Sequence, residues 1–447
     1  MTTLAFDTFG QNLDEAVRRF PERTAVRGWE LTDGPPREFT YAELDAAASE
    51  LAADLRAAGA ARFEPAIVFV SNRVEDMITL LGAWRAGLVA VPLHRECSPE
   101  TLRQILCRTG ARFLVMGQPP PDLDLPPWEH RMRRHSSLLA NEGVAPAHRE
   151  ELAGAALVMF TSGSTGEPKG VILTREAFSK KLAAINAVLR LPEGVRSFLV
   201  LQLNFAFGQW VSLLTLMLSG TVFLLPKFEP ERVLRLLGEE QIGHIAVVPT
   251  MLRALRPFMD ADAAQAPLRL MRSGGFPHLI CTGGEPLQPA LARAMRRLLP
   301  RSGIADVFGL TETCTSDFIL PPDSFDQHIG SIGFPSPGVR FRIVNPETGE
   351  DSGSGEAGEL EIDSDFMMAG YLGAPDLTRS SFRGKYFRTG DIARVGPDGA
   401  VYLSGRSKDL IVRGGNKVSP IEVDGALMQH PQVLASLTTG VPDAVMG

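Results

Sequence analysis

The sequence predicts an α/β protein of two doubly wound lobes with a β-rich subdomain after them, and three observations carry that expectation. Apolar strand-length runs alternate with helix-length segments from Thr40 onward, the alternation resumes after a proline-rich break at Pro119–Pro127, and beyond Gly330 short β runs with hairpin signals take over. The length agrees, since 447 residues make about three units at roughly 150 residues each.

Taken in order, Thr40 and Glu43 form a capping box ahead of Leu44, Leu51 and Leu55, so a helix starts there and Gly59 ends it. Ala66–Val70 is a strand. Glu75–Ala86 is a helix carrying Leu80, Leu81 and Trp84, and Gly87 stops it before a second apolar strand, Leu88–Leu93. Ser98 and Pro99 supply the N-cap and first-turn proline of a helix striped by Leu102, Ile105 and Leu106, and Ala111–Met116 returns to strand. This β-α-β-α-β order argues for a parallel sheet. Pro119–Pro127, rich in proline and acidic, suits a surface connection between lobes. The second alternation reads strand Ala155–Phe160, helix Arg175–Leu189, strand Ser197–Leu203, helix Gln209–Leu218, strand Thr221–Leu225, helix Pro230–Glu240, strand His244–Val248, helix Pro289–Leu299 and strand Ile304–Phe308. Asn345–Gly349 and Pro397–Gly399 are hairpin turns of the β-rich part.

Composition narrows the function. Apolar residues at 44% and charged residues at 22% exclude disordered, collagen-like and disulfide-scaffold classes. With 45 Lys+Arg against 52 Asp+Glu the net charge is −7, which lacks the basic excess of a nucleic-acid binder. Cys97, Cys107, Cys281 and Cys314 show no C-x-x-C spacing, so neither a structural zinc site nor a disulfide framework is indicated, and a reducing cytoplasm is the expected location. Asp7, Asp14 and Glu15 make Met1–Phe20 unlike a secretory signal. Trp210–Leu225 is apolar but interrupted by Ser212, Thr215, Ser219, Gly220 and Thr221, and falls short of the ~20 residues of a membrane span. It reads as buried helix followed by buried strand, and no transmembrane segment is expected.

The most informative segment is Phe160–Gly170, placed between a strand and a helix. Gly163, Gly166 and Gly170 let backbone N–H groups approach an anion, Thr161, Ser162, Ser164 and Thr165 offer hydroxyls, and Lys169 adds a positive charge. A Ser/Gly linker would not sit tightly after a buried strand and end in Pro-Lys-Gly, so a phosphate loop is the reading, though not of G-x-x-x-x-G-K-[ST] spacing. Gly353–Gly358 matches G-x-G-x-x-G, yet it lies between β runs with no helix after it, so it is a hairpin loop and not a dinucleotide site. H-E-x-x-H and G-x-S-x-G are both missing from the sequence, which removes the cheapest support for zinc and serine hydrolases.

The Ser/Gly loop is followed in order by Phe308-Gly309-Leu310-Thr311-Glu312, Tyr386-Phe387-Arg388-Thr389-Gly390-Asp391 and Gly405-Arg406-Ser407-Lys408-Asp409-Leu410-Ile411. In sequence and spacing these four motifs resemble the adenylate-forming superfamily, which contains acyl- and aryl-CoA ligases, peptide-synthetase adenylation domains and firefly luciferase. The resemblance runs from about Thr40 to the end of the chain. It implies that Thr161, Ser162, Gly163, Ser164, Thr165, Gly166 and Lys169 cradle the β,γ-phosphates of ATP. Thr311 would touch the α-phosphate and Glu312 would hold Mg²⁺, so that Lys169, Thr311 and Glu312 form the catalytic set. Asp391 would take the ribose hydroxyls with Arg406 beside it. Phe308 would stack on adenine where the family usually has tyrosine, which removes a phenol but keeps the ring face. Gly284, Glu285 and Gly309 belong with this nucleotide site.

The implied reaction activates a carboxylic acid with ATP as an acyl-adenylate, then transfers the acyl group to the thiol of CoA. Amino-acid-activating relatives carry an aspartate near Asn204–Trp210, and this segment has no acid; an unpaired ammonium would be costly there. Phe205, Ala206 and Phe207, with Gly283, suit a medium or long acyl, or an aryl, group. Arg413-Gly414-Gly415-Asn416-Lys417 looks like the loop that guides the pantetheine thiol, with Gly414 and Gly415 at its tip, and cannot by itself separate CoA from a carrier-protein arm. A carrier protein as acceptor, a non-catalytic binder of nucleotide or acyl-adenylate, and a luciferase-like oxidase are the alternatives. The resemblance also implies a large domain over 1–404, a hinge at Lys408, and a C-terminal domain of which 405–447 is an incomplete part. No lysine follows Lys417, so the lysine in a Gly-Lys context that contacts the adenylating carboxylate in the family has no counterpart here, and a piece of about 40 residues is expected to be poorly ordered by itself.

Overall fold

The computed structural model describes residues 9–31, 34–117, 129–132, 136–141, 149–161, 168–261, 275–353, 355–413, 416–428, 430, 433 and 436–441. The local signals read from the sequence build the first lobe. Thr40 accepts the Glu43 backbone N–H and Glu43 returns the bond to the Thr40 N–H, starting helix Tyr41–Ala57. Helix Val74–Ala86 ends on Gly87 at φ 93°, a left-handed conformation that glycine adopts without penalty. Ser98 caps helix Pro99–Thr109 through the Thr101 N–H. Strand Pro65–Val70 is buried at every position, as a central parallel strand must be when helices cover both faces.

Among the described residues two large sheets form. One has the spatial order Gly370–Tyr371, Lys169–Thr174, Ala155–Thr161, Val89–His94, Pro65–Val70, Phe113–Met116, Ser137–Ala140 and Glu129–Met132. The other runs Phe334–Pro335, Phe318–Leu320, Gly303–Phe308, Leu279–Gly283, His244–Val247, Arg196–Leu199, Thr221–Leu224, Thr24–Gly28 and Arg37–Thr40. Their centres are parallel, as expected, but their edges are antiparallel. A strand that precedes the elements read from the sequence, Thr24–Gly28, joins the second sheet beside Thr221–Leu224. Lobe membership differs from the sequence reading at one place. Ala155–Thr161, expected to open the second alternation, belongs to the first sheet beside Val89–His94. An apolar strand suits the inside of either sheet, and chain order alone does not choose between them.

One apolar core lies between the sheets. Helices Tyr41–Ala57, Val74–Ala86, Arg175–Leu189 and Ala206–Met217 share it with Val68, Leu157 and Leu173 of one sheet and Leu199, Leu224 and Ala305 of the other. A second core lies under helices Pro230–Glu239, Pro249–Ala261 and Pro289–Leu298, on the outer face of the second sheet. A third lies under helix Pro99–Thr109 on the outer face of the first. The layering is therefore α-β-α-β-α. Helix Pro249–Ala261 and strand Leu279–Gly283 complete the parallel series and were not distinguished in the sequence. The segment Trp210–Leu225 is the buried end of helix Ala206–Met217 followed by strand Thr221–Leu224. Among the described residues no helix is long and apolar enough to cross a membrane.

The β-rich subdomain is a five-stranded sheet of Val339–Val344, Gly358–Ser364, Tyr386–Val395, Phe382–Arg383 and Val401–Arg406. Val339–Val344 and Gly358–Ser364 pair antiparallel, so the glycine-rich segment between them is a hairpin connection, with Gly355 at φ 79°. After it come the short hairpin Ile411–Arg413 with Asn416–Val418 and helix Pro420–Leu427, whose N-cap Ser419 also donates to the Ser404 carbonyl. Asp424 of that helix accepts hydroxyls from Ser436 at 2.6 Å and Thr438 at 2.7 Å. The tail expected to be poorly ordered thus has local structure in its described part. The connection at residues 119–127 lies outside the described residues.

Candidate active site

The phosphate-loop segment is set differently from the sequence reading. It joins strand Ala155–Thr161 to an antiparallel strand, Lys169–Thr174, and the helix starts only at Arg175. Val171, Ile172 and Leu173 are fully buried, and this short strand runs straight into the helix, so no turn signal separates the two. Thr161 and Lys169 are Cα partners at the loop end of the hairpin. Ser162, Gly163, Ser164, Thr165 and Gly166 lie outside the described residues. Thr161 ends a strand parallel to Val89–His94, while Gly283 and Phe308 end parallel strands of the other sheet. These residues therefore lie at the carboxyl ends of their strands, where open α/β sheets bind ligands.

After Phe308, whose ring lies 6.1 Å from that of Phe318, the chain turns sharply. A Cβ on Gly309 would fall 2.1 Å from the Ser316 backbone nitrogen, so only glycine fits. Thr311 and Glu312 sit in the 3₁₀ turn Thr311–Thr313, followed by Cys314, Thr315 and Ser316 with φ of 57°, 65° and 48°. Three consecutive left-handed non-glycine residues are costly and must be held by their surroundings. Asp317 holds them: its fully buried carboxylate accepts the Lys181 ammonium at 2.8 Å and the Thr313 hydroxyl. Burial pushes the Asp317 carboxyl up, and Lys181 opposes that shift. Lys181 comes from helix Arg175–Leu189, directly after the loop hairpin. The sequence reading missed both residues; a lysine among Phe178, Leu182 and Ile185 was the available signal.

Glu312 is fixed from residues 368–371. Its carbonyl accepts the Met368 N–H at 2.8 Å, and its Oε1 accepts the Tyr371 hydroxyl at 2.8 Å. Lys169 Nζ stands 5.7 Å from the centre of the Tyr371 ring. Burial and the Glu312 charge push the Tyr371 phenol far up. Lys169 and Glu312, read separately from the sequence, thus meet across Tyr371, which was not singled out.

Asp391 and Arg406 are Cα partners on neighbouring antiparallel strands. Arg406 Nε donates to Asp391 Oδ1 at 3.0 Å, and the Thr389 hydroxyl accepts the Asp391 N–H at 3.0 Å. Asp391 is 4% exposed, and its buried Oδ2 meets no partner at hydrogen-bond geometry among the described residues. Burial, partly offset by Arg406, pushes its carboxyl up to about 6.

The remaining candidates divide. A Cβ on Gly283 would meet the Val307 carbonyl at 2.3 Å, and Gly284 has φ 82°. The Glu285 carboxylate accepts the Thr250 hydroxyl at 2.6 and 2.7 Å and pairs with Arg253 at 3.1 Å, so it is turned toward helix Pro249–Ala261. Phe205, at the N-cap of helix Ala206–Met217, is 59% exposed, Ala206 is buried, and Phe207 stacks on Trp210 at 5.4 Å. Ala206 thus belongs to the core between the sheets and Phe207 packs against it, while Phe205 is left largely exposed. Lys408 lies in the 3₁₀ turn Ser407–Asp409 immediately after Arg406. Gly414 and Gly415 lie outside the described residues.

The two-lobed α/β fold, with Thr161, Gly283 and Phe308 at the carboxyl ends of parallel-sheet strands, is of the class of open α/β proteins that bind ligands at that edge. Residues 13–372 match the AMP-binding enzyme family, and the chain belongs to it; this is the adenylate-forming superfamily that the motifs resemble. The chain is similar to a sulfoacetate–CoA ligase from Cupriavidus necator, 30% identical over 460 aligned residues covering 99% of this chain and 86% of the relative. It is also similar to a feruloyl-CoA synthase from an Amycolatopsis species, 32% identical over 436 residues, 96% of this chain and 85% of the relative. Its fold is that of ATP-bound MatB from Rhodopseudomonas palustris, with a TM-score of 0.80 at 24% identity over 99% of this chain and 87% of the other.

Proposed function

We propose that the chain is an ATP-dependent acid–thiol ligase that activates a carboxylic acid as its acyl-adenylate and passes the acyl group to CoA. Asp391 is the observation that carries this reading. A buried carboxylate with one oxygen held by Arg406 and the other without a partner among the described residues needs donors, and the vicinal hydroxyls of a ribose supply them. The relatives' names, which are those of CoA ligases, support the same reaction.

In the first step a carboxylate oxygen of the acid attacks the α-phosphorus of ATP, the new O–P bond forms and pyrophosphate leaves. Phe308 offers its ring face to adenine, and Thr161 to Lys169 supply donors to the β,γ-phosphates. Lys169 adds a fixed positive charge, and Thr311 donates to the α-phosphate, so the residues act by positioning and electrostatics. Glu312 suits a cation: its carboxylate takes a neutral hydroxyl from Tyr371 and forms no ion pair among the described residues. Among the described residues no group of three His, Cys, Asp or Glu could hold a metal, and one carboxylate completed by substrate phosphates is how Mg²⁺ is commonly held. Bound at Glu312, Mg²⁺ would neutralise phosphate charge. In the second step the thiol, giving up its proton, attacks the acyl carbon and AMP leaves with the carboxyl oxygen. We place the hinge between the two steps at Lys408, separating a large domain over 1–404 from 405–447, and the thiol-guiding loop at Gly414 and Gly415.

The acid is a neutral apolar or aryl one, because residues 204–210 contain no acid to pair an ammonium and Phe205 is free to meet an apolar group. The test is pyrophosphate release from ATP and Mg²⁺ across a panel of acyl, aryl and amino acids, with thioester detected by mass on adding CoA or a carrier protein. Acid-dependent pyrophosphate and acyl-CoA are expected with apolar acids. A preference for amino acids, or transfer to the carrier arm alone, would refute the substrate reading.

A further inference from the structure

We infer that Tyr371 is a positioning residue for the metal-bearing carboxylate, and that the strut at residues 368–371 sets the distance between the phosphate loop and Glu312. This rests on the proposed role of Glu312. The circuit is continuous in hydrogen bonds. Strand Lys169–Thr174 leaves the phosphate loop, and Gly370 and Tyr371 pair with Ile172 and Val171 on it. On either side of that pairing, Ala369 N–H donates to the Ile172 carbonyl at 2.9 Å and Leu372 N–H to the Gly170 carbonyl at 2.8 Å. From the same strut, Met368 N–H holds the Glu312 carbonyl and the Tyr371 hydroxyl holds its Oε1, each at 2.8 Å. Thus one four-residue piece touches the strand carrying Lys169 and both ends of Glu312. The Thr378 hydroxyl accepts the Tyr371 N–H at 2.9 Å, which fixes the tyrosine backbone from the far side.

The phenol suits the task chemically. It is neutral, so it orients one carboxylate oxygen without cancelling the charge a divalent cation needs, as a lysine or arginine there would. An ordinary phenol keeps its proton through the neutral pH range, so the orienting bond to Glu312 at 2.8 Å persists there. Groups that orient a metal ligand in this way commonly contribute about 10- to 100-fold in metal affinity.

The test compares Tyr371→Phe with the parent by calorimetry, using ATP with Mg²⁺, ATP with a chelator, and AMP. The ring and its packing remain, so thermal melting should stay close to that of the parent. Affinity for ATP with Mg²⁺ should fall roughly tenfold, while affinity for AMP and for chelated ATP stays within about twofold. Equal losses in all three titrations would make Tyr371 a support of the fold and overturn the inference, as would no loss in any. Glu312→Gln separates the two levels. If it removes the Mg²⁺ gain and Tyr371→Phe does not, only the positioning role fails; if Glu312→Gln also leaves the gain intact, the metal-carboxylate reading fails with it. A second measurement keeps the native ring in place. The chain has four tyrosines, so fluorotyrosine labelling gives four ¹⁹F signals, assigned by Phe substitution at Tyr41, Tyr386 and Tyr402 with the fourth by elimination. Adding Mg²⁺ to the ATP complex should move the Tyr371 signal, and a signal that stays still would refute the contact.

Discussion

Asp391→Ala is expected to weaken AMP and ATP binding by about 1.5–3 kcal/mol, the range for a hydrogen bond to a charged group, or about 10- to 150-fold in affinity. The structure sets both limits. Asp391 is already desolvated and already oriented by Arg406 and Thr389, so the ribose gains the bond without a fresh burial cost. The arginine left behind is 46% exposed, so water screens its lost partner and adds little. A pH signature accompanies the loss. Burial raises the Asp391 carboxyl to about 6, above its ordinary value of 3.8. The free folded protein therefore takes up a proton on lowering pH through 6, and the stability cost of the buried charge appears as pH rises between those two values. Ribose hydroxyls donate to the anion, so AMP affinity should fall as pH drops from 7 to 5, and Asp391→Asn should lose the part of that slope which the phosphate's own titration does not explain. Calorimetry at several pH values on parent, Ala and Asn variants measures both effects. A folded Ala variant with parental affinity, or an Asn variant with an unchanged pH slope, would remove Asp391 from the nucleotide site.

Lys181→Met should destabilise the fold by about 3–5 kcal/mol in urea, because it strands the buried Asp317 carboxylate; replacing both partners with apolar residues should cost less. Gly309→Ala forces a Cβ against the Ser316 backbone, and overpacking of this kind costs about 1–3 kcal/mol, so melting temperature and AMP affinity should fall together. Phe205→Ala should leave unfolding free energy within about 0.5 kcal/mol, since the ring is largely exposed, yet raise the KM for the acid without raising that for ATP. A parental acid KM would place Phe205 outside the acyl pocket.

What was legible in the sequence was local or motif-borne. The Thr40 and Glu43 box, Gly87, Ser98 with Pro99, and the turns at Asn345–Gly349 and Pro397–Gly399 each act over a few residues, and the folded chain uses them as read. Asp391 and Arg406 were paired in advance because two motifs carry them, and only 15 residues separate them. The missed features depend on distant neighbours. Lys181 and Asp317 lie 136 residues apart, and Tyr371 and Glu312 lie 59 apart, so no window of periodicity contains either pair. Strand Lys169–Thr174 escaped for a different reason: its partner precedes the loop, and its apolar run merges with the helix that follows.

The most direct test of the proposed chemistry follows the oxygen atoms. A carboxylic acid labelled with ¹⁸O in both carboxyl oxygens is incubated with the protein, ATP, Mg²⁺ and CoA, and the nucleotide product is analysed by mass. Attack of the carboxylate on the α-phosphorus, followed by thiol displacement, leaves one ¹⁸O in the phosphate of AMP, one in the thioester carbonyl and none in pyrophosphate. Label in inorganic phosphate with ADP as the nucleotide product would mean attack at the γ-phosphorus and would contradict the adenylation account.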